Sequence, residues 1–174
     1  MITCVTAPSR SGTSLMMQML LNAGIPVAWN ALPNRQPWNE RGFYEFDWMK
    51  GTLTECEGHA VKVMPFDLHR LTPDHDYQFI TILRNVACID ASQAHTVQWR
   101  HAEMSDAHRT EHWHNEIFSV IKSYRHLIVG FDELFSGIAQ GKVGAFLDMT
   151  PLQIAKMCDC VDHSMWHFKP EAKR

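Results

Sequence analysis

The tightest constraint on the fold lies at the start of the chain, where a strand runs through one short turn straight into a helix. Ile2 to Ala7 carries the β-branched residues Ile2, Thr3, Val5 and Thr6 and is stopped by Pro8. Pro8-Ser9-Arg10-Ser11-Gly12-Thr13-Ser14 follows, and Leu, Met and Gln at helical spacing predict a helix from Thr13 to Ala23, closed by Gly24. The alternation continues. Ala60 to Met64 predicts a second strand, ended by Pro65. Tyr77 to Leu83 predicts a third, whose near-continuous apolar run suits a central strand buried on both faces. Helices are expected from about Cys88 to Arg100 and from His108 to Arg125, a strand at Leu127 to Phe131, and two or three short helices from Asp132 to Val161. Residues 30 to 45, rich in Asn, Pro, Arg and Trp, predict an ordered surface loop. Strands alternating with helices argue for an α/β fold, a parallel sheet covered on both sides. Such sheets bind ligands at the carboxyl ends of their strands.

Length and charge narrow the classes. A chain of 174 residues fits one domain, 1–174. Its formal net charge of −3 disfavours a whole-chain nucleic-acid binder. No apolar run reaches bilayer length and no basic leader precedes the first strand, so neither a membrane partner nor a signal peptide is expected. The five cysteines are odd in number, and three fall inside apolar or helical patterns. That speaks against a disulfide framework and for a reducing, cytoplasmic compartment. Cys158 and Cys160 lack the second pair a zinc site needs. His108, His112 and His114 invite a metal reading, but H-E-x-x-H is absent and no metal is expected.

The turn after the first strand is built for an anion. Gly12 lets backbone approach closely, amides at the helix N-terminus point outward, Thr13 and Ser14 add hydroxyls, and Arg10 adds fixed charge. A Walker A loop would need a leading glycine and a lysine before the hydroxyl residue, and both are missing. A second anion motif stands apart from the first. Leu83-Arg84-Asn85 ends the third strand, and Ser92 follows eight residues after the arginine, so the two side chains can converge on one anion.

Pro8-Ser9-Arg10-Ser11-Gly12-Thr13-Ser14-Leu15 resembles the 5′-phosphosulfate loop of sulfotransferases that use 3′-phosphoadenosine 5′-phosphosulfate (PAPS), in the form found in Golgi, bacterial and phage types. Arg84 with Ser92 resembles the pair that clamps the 3′-phosphate of PAPS. Asn39-Glu40-Arg41-Gly42-Phe43-Tyr44-Glu45, Leu127 to Leu134 and Val161 to Trp166 are similar to further family segments. The resemblance implies a three-layer, P-loop NTPase-like sheet flanked by helices. It implies PAPS as co-substrate, bound by Arg10, Ser11, Gly12, Thr13, Ser14, Arg84 and Ser92, and transfer of its sulfuryl group to a hydroxyl or amine on a small molecule or glycan. Two other readings compete: a non-catalytic protein that binds PAPS or its product, and a P-loop kinase-like phosphotransferase.

The departures bear on mechanism. Cytosolic sulfotransferases carry K-T-H-L-P, whose histidine is the base, whereas this chain has Lys62-Val63-Met64-Pro65. The family's late R-K-G motif is absent; Lys169, Lys173 and Arg174 are its only nearby cations. Arg10 and Lys62 are therefore expected to stabilise the leaving group, and Glu45 to act as base. Glu40 and Asp47 come next, then His59 and His69. Trp29, Trp38, Phe43, Tyr44 and Trp48 are expected to line an acceptor pocket. The chain is short for the family, so a homo-oligomer could complete its lid.

Overall fold

A computed structural model of the chain describes residues 1–31, 42–94 and 107–162. Five strands form one all-parallel sheet: β1 (Ile2–Thr6), β2 (Val27–Ala28), β3 (Ala60–Val63), β4 (Tyr77–Leu83) and β5 (Arg125–Gly130), in the order β2-β3-β1-β4-β5. Five α-helices accompany them among the described residues: α1 (Thr13–Asn22), α2 (Val86–Ala94), α3 (Ala107–Ile121), α4 (Ile138–Phe146) and α5 (Pro151–Asp159). The expected three-layer α/β fold is what the chain adopts.

Alternation along the strands divides the core in two. Val5, Ala7, Ile80, Ile82 and Val129 face Met16, Met17 and Leu20 of α1, Val143 of α4 and Met157 of α5. Ile2, Cys4, Val61, Val63, Tyr77 and Phe79 face Ile117 and Ile121 of α3. Helices α1 and α4 pack on one face of the sheet and α3 on the other, with α5 against α1 and α4, so both faces are covered, as parallel sheets require.

The elements expected from the sequence are present, with ends displaced by a few residues. Helix α1 ends at Asn22, and Gly24 takes the left-handed φ of +84° that lets the chain leave it. Residues 95 to 100, expected as the end of α2, lie outside the described residues, as do 32–41 of the expected surface loop. Strand β2 has no counterpart in the sequence reading. It is two residues long, too short to show any alternation, and is fixed only by pairing with Ala60 and Val61. No helix among the described residues is long and apolar enough to cross a membrane.

The chain order explains where a ligand can enter. Strand β1 pairs with β3 on one side and β4 on the other. After β1 the chain departs toward β2, whereas after β4 it departs toward β5. The loops leaving adjacent strands β1 and β4 therefore part, and a crevice opens at their carboxyl ends.

Candidate functional site

The turn leaving β1 holds an unusual backbone. Arg10 has φ of +71° and Gly12 has φ of +92°, so a non-glycine residue accepts the left-handed region two positions before a glycine does. That conformation costs an L-residue about 1–2 kcal/mol and is retained where surroundings over-determine it. Gly12 is the N-cap of α1, and no side chain caps the helix there. The Ser11 hydroxyl is fully buried and has no hydrogen-bond partner among the described residues. Uncapped amides and a buried idle hydroxyl at a helix N-terminus form a cradle suited to oxyanions.

The glycine has a different reason from the expected one. A Cβ at Gly12 would lie 2.8 Å from Leu134 Cδ1 and 3.1 Å from the Phe131 ring, so that direction points into protein. Close approach of ligand to backbone is not what a side chain at this position would block first.

On the β4 side two arginines are interlocked. Arg10 Nε donates to Ser92 Oγ at 3.1 Å, and Arg84 Nη1 donates to the Arg10 carbonyl at 2.5 Å. The Arg84 guanidinium also lies 3.9 Å above the Phe131 ring centroid, a cation–π contact. Burial lowers the pKa of both arginines, and for Arg84 the charge of Arg10 adds to the lowering while nearby Cys88 opposes it. Both stay cationic, because arginine starts so high. The charge of Asp132 also acts on Arg84, raising its pKa against the effect of Arg10. Asn85 sets the geometry: its side chain accepts from the Ala87 amide and its carbonyl from Cys88 and Ile89, which starts α2 and brings Ser92 round to face the turn. Beyond Arg84 a cleft of about 210 Å³ runs between the ends of β4 and β5, lined by Cys88, Phe131, Asp132 and Glu133 among others.

On the β3 side Lys62 reaches the same turn from below. Its ammonium donates to Ser14 Oγ at 3.1 Å, the Phe43 carbonyl at 2.9 Å and Glu45 Oε1 at 2.5 Å. Lys62 is only 4% exposed, whereas the Glu45 side chain is 42% exposed. Burial lowers the Lys62 pKa, the Glu45 carboxylate pulls it back up, and the charge of Arg10 lowers it further. Lys62 is thus within electrostatic reach of Arg10.

The structure brings Arg10, Ser11, Gly12, Thr13, Ser14, Lys62, Glu45, Arg84 and Ser92 to the carboxyl edge of the sheet. Other expected residues are elsewhere. Asp47 pairs with Lys50. His59 precedes β3 and so lies at the opposite, amino edge, which removes it as a base for this site. Tyr44 is buried in the core, and Trp48 is partly buried against it. Glu40, Trp38, Lys169, Lys173, Arg174 and His163 to Trp166 lie outside the described residues. His112 faces Glu116 at 3.7 Å, and no group of metal-ligating side chains occurs among the described residues.

One residue escaped the sequence reading. Asp67, in the turn after β3, is buried, and its carboxyl is pushed up by burial despite its hydrogen bond from Arg70, with the charge of Glu45 adding to the rise. Only the turn at Pro65–Arg70 brings it near Glu45, and no spacing in the sequence signals that. No protein-family model matches the chain, and no curated protein matches it.

Proposed function

We propose that this chain is a PAPS-dependent sulfotransferase acting on a hydroxyl or amine acceptor. The observation that carries the reading is the interlock of Arg10, Ser92 and Arg84 across the crevice between β1 and β4. A single phosphate needs one anion cradle. Two cations on separate loops, Arg10 bonded to Ser92 and Arg84 to the Arg10 carbonyl, suit a ligand with more than one anionic group, as a nucleotide carries. PAPS is such a ligand, with a 5′-phosphosulfate for the α1 N-terminus and a 3′-phosphate for Arg84 and Ser92.

In the reaction, a lone pair of the acceptor attacks the sulfur in line, and the bond from sulfur to the 5′-phosphate oxygen breaks. The phosphate leaves as part of adenosine 3′,5′-bisphosphate. Arg10, the α1 amides and the nearby positive charge of Lys62 stabilise the charge that grows on it. Glu45, half-exposed beside the turn, takes the acceptor proton. The chemistry needs no redox step.

The test is binding by calorimetry followed by turnover. The wild type is expected to bind adenosine 3′,5′-bisphosphate well and ATP with Mg²⁺ poorly. Arg84→Ala should cost the bisphosphate about 1.5–3 kcal/mol and leave adenosine 5′-phosphate nearly unchanged. Glu45→Gln should keep bisphosphate affinity and lose about 10²–10⁴-fold in turnover of PAPS. Equal losses for both nucleotides on Arg84→Ala, or a preference for ATP, would overturn the reading. Bisphosphate binding without turnover of PAPS would leave a binding protein.

A further inference from the structure

Lys62 is a buried cation whose three N–H protons are all taken by protein oxygens. Two of those acceptors, the Phe43 carbonyl and the Glu45 carboxylate, belong to one short irregular segment that crosses the first turns of α1. The same segment is held at Gly42 by Gln18 Nε2 at 3.4 Å, and at the Glu45 carbonyl by the amides of Asn30 and Ala31 at 3.3 and 3.2 Å. The third acceptor, Ser14 Oγ, lies in the first turn of α1 and itself donates to the Phe43 carbonyl at 3.4 Å. Ser14 therefore belongs to the anion turn and to the tie on Glu45 at once.

We propose that Lys62 is a positioning residue: it holds the segment from Phe43 to Glu45, and with it the Glu45 carboxylate, against α1, and Ser14 makes that hold respond to an anion in the turn. An anion that accepts the Ser14 hydroxyl proton takes it from the Phe43 carbonyl. One of the ties between α1 and the segment is then given up, and Glu45 gains freedom to meet an acceptor only once the turn is filled. The ammonium contributes charge near the leaving group, but its hydrogen bonds are spent on Glu45 and its neighbours. Burial favours this division of labour, since Lys62 cannot swing out to a ligand without giving up its hydrogen bonds to the Glu45 carboxylate and the Phe43 carbonyl.

The part of this that concerns Glu45 as a base rests on the sulfotransferase reading, whereas the tie itself does not. Hydrogen exchange at the Asn30 and Ala31 amides, which end on the Glu45 carbonyl, separates the two. In the free protein Lys62→Met should speed exchange at both amides by about tenfold, and Lys62→Arg should restore part of the protection. Unchanged exchange in Lys62→Met would overturn the tie, whatever the protein binds. With saturating adenosine 3′,5′-bisphosphate, or inorganic pyrophosphate should that nucleotide fail to bind, the wild type should show faster exchange at these amides. Ser14→Ala, with the same ligand shown by calorimetry to be bound, should show no further change. An equal response in both proteins would remove Ser14 as the link.

Turnover divides a residue that acts in the transition state, by positioning or by charge, from a ground-state ligand of the donor. Lys62→Met should lower kcat by about 10²-fold while KM for PAPS stays within about threefold. A rise in KM with kcat preserved would make Lys62 a donor ligand instead. Failure of bisphosphate and PAPS binding in the wild type would sink the functional reading but leave the exchange result at Asn30 and Ala31 to stand or fall alone.

Discussion

Two glycines with similar backbone angles should respond differently to the same methyl group. Gly24 and Gly12 both take left-handed φ values, +84° and +92°, but only Gly12 has atoms waiting where a Cβ would go. Gly24→Ala should cost about 1 kcal/mol from backbone strain alone. Gly12→Ala should cost about 2–4 kcal/mol, because Leu134 and the Phe131 ring already stand where its Cβ would go. Urea denaturation of both variants checks this, and equal losses would mean that the turn relaxes around the new side chain. The same residue marks a limit of what sequence discloses. Arg10, Ser11, Gly12 and Ser14 are visible as an anion turn because strand, glycine and hydroxyls are adjacent in the chain. The direction of the missing Cβ at Gly12 depends on β5 and the turn after it, more than a hundred residues away, and no local pattern carries it. Lys62 is visible as a cation near the site, but its triple engagement with Ser14, Phe43 and Glu45 is a property of packing.

Among the elements, α4 and α5 pack through a glycine. Gly144 sits in α4 where a Cβ would come within 2.5 Å of Ile154 Cγ1 on α5. Gly144→Ala gains about 1 kcal/mol of helix propensity and loses about 1–3 kcal/mol to overpacking, for a net loss near 1 kcal/mol. Chemical denaturation measures that loss, and a more stable variant would show that the two helices separate at little cost. Helix α5 is well defined at its start: Thr150 and Gln153 form a reciprocal capping box with Pro151 between them. Gln153 also reaches the Ala23 carbonyl at 3.3 Å, and Asn22 reaches the Lys156 carbonyl, so α5 is tied to the end of α1. Strands β1, β3 and β4 are readable because each is an apolar run with a turn signal after it. Strand β2 is not, since two residues hold no period. Strand β5 begins two residues before its apolar run, at Arg125 and His126, because pairing with Gln78 and Phe79 recruits them regardless of polarity.

For the whole molecule, the ion pairs set how it meets acid. Lys50 holds Asp47 below the usual carboxylate range, the N-terminal ammonium and His75 hold Glu57 there, and Lys142 with the Gly130 amide holds Glu133. A depressed carboxylate adds stability above its unfolded value, near about 4, and that contribution is lost as pH falls through its folded value. Asp67 runs the other way. Its raised pKa means ionisation costs stability above the unfolded value, and acid relieves that cost. Three against one, the melting temperature should fall as pH drops below about 4, and Glu57→Gln should flatten the slope. A melting temperature constant down to pH 3 would show these pairs to be idle. The strand order has a kinetic consequence as well. Residues 2–6 pair only with residues 60–63 and 77–81, so the middle of the sheet holds no local contact. Long loops must close before either pairing can repay the entropy lost, and chains of such high contact order fold slowly. The turn that follows β1 is held by contacts to Ser92 and Leu134, so it should gain its shape in the same cooperative event as the sheet and not as an early local nucleus.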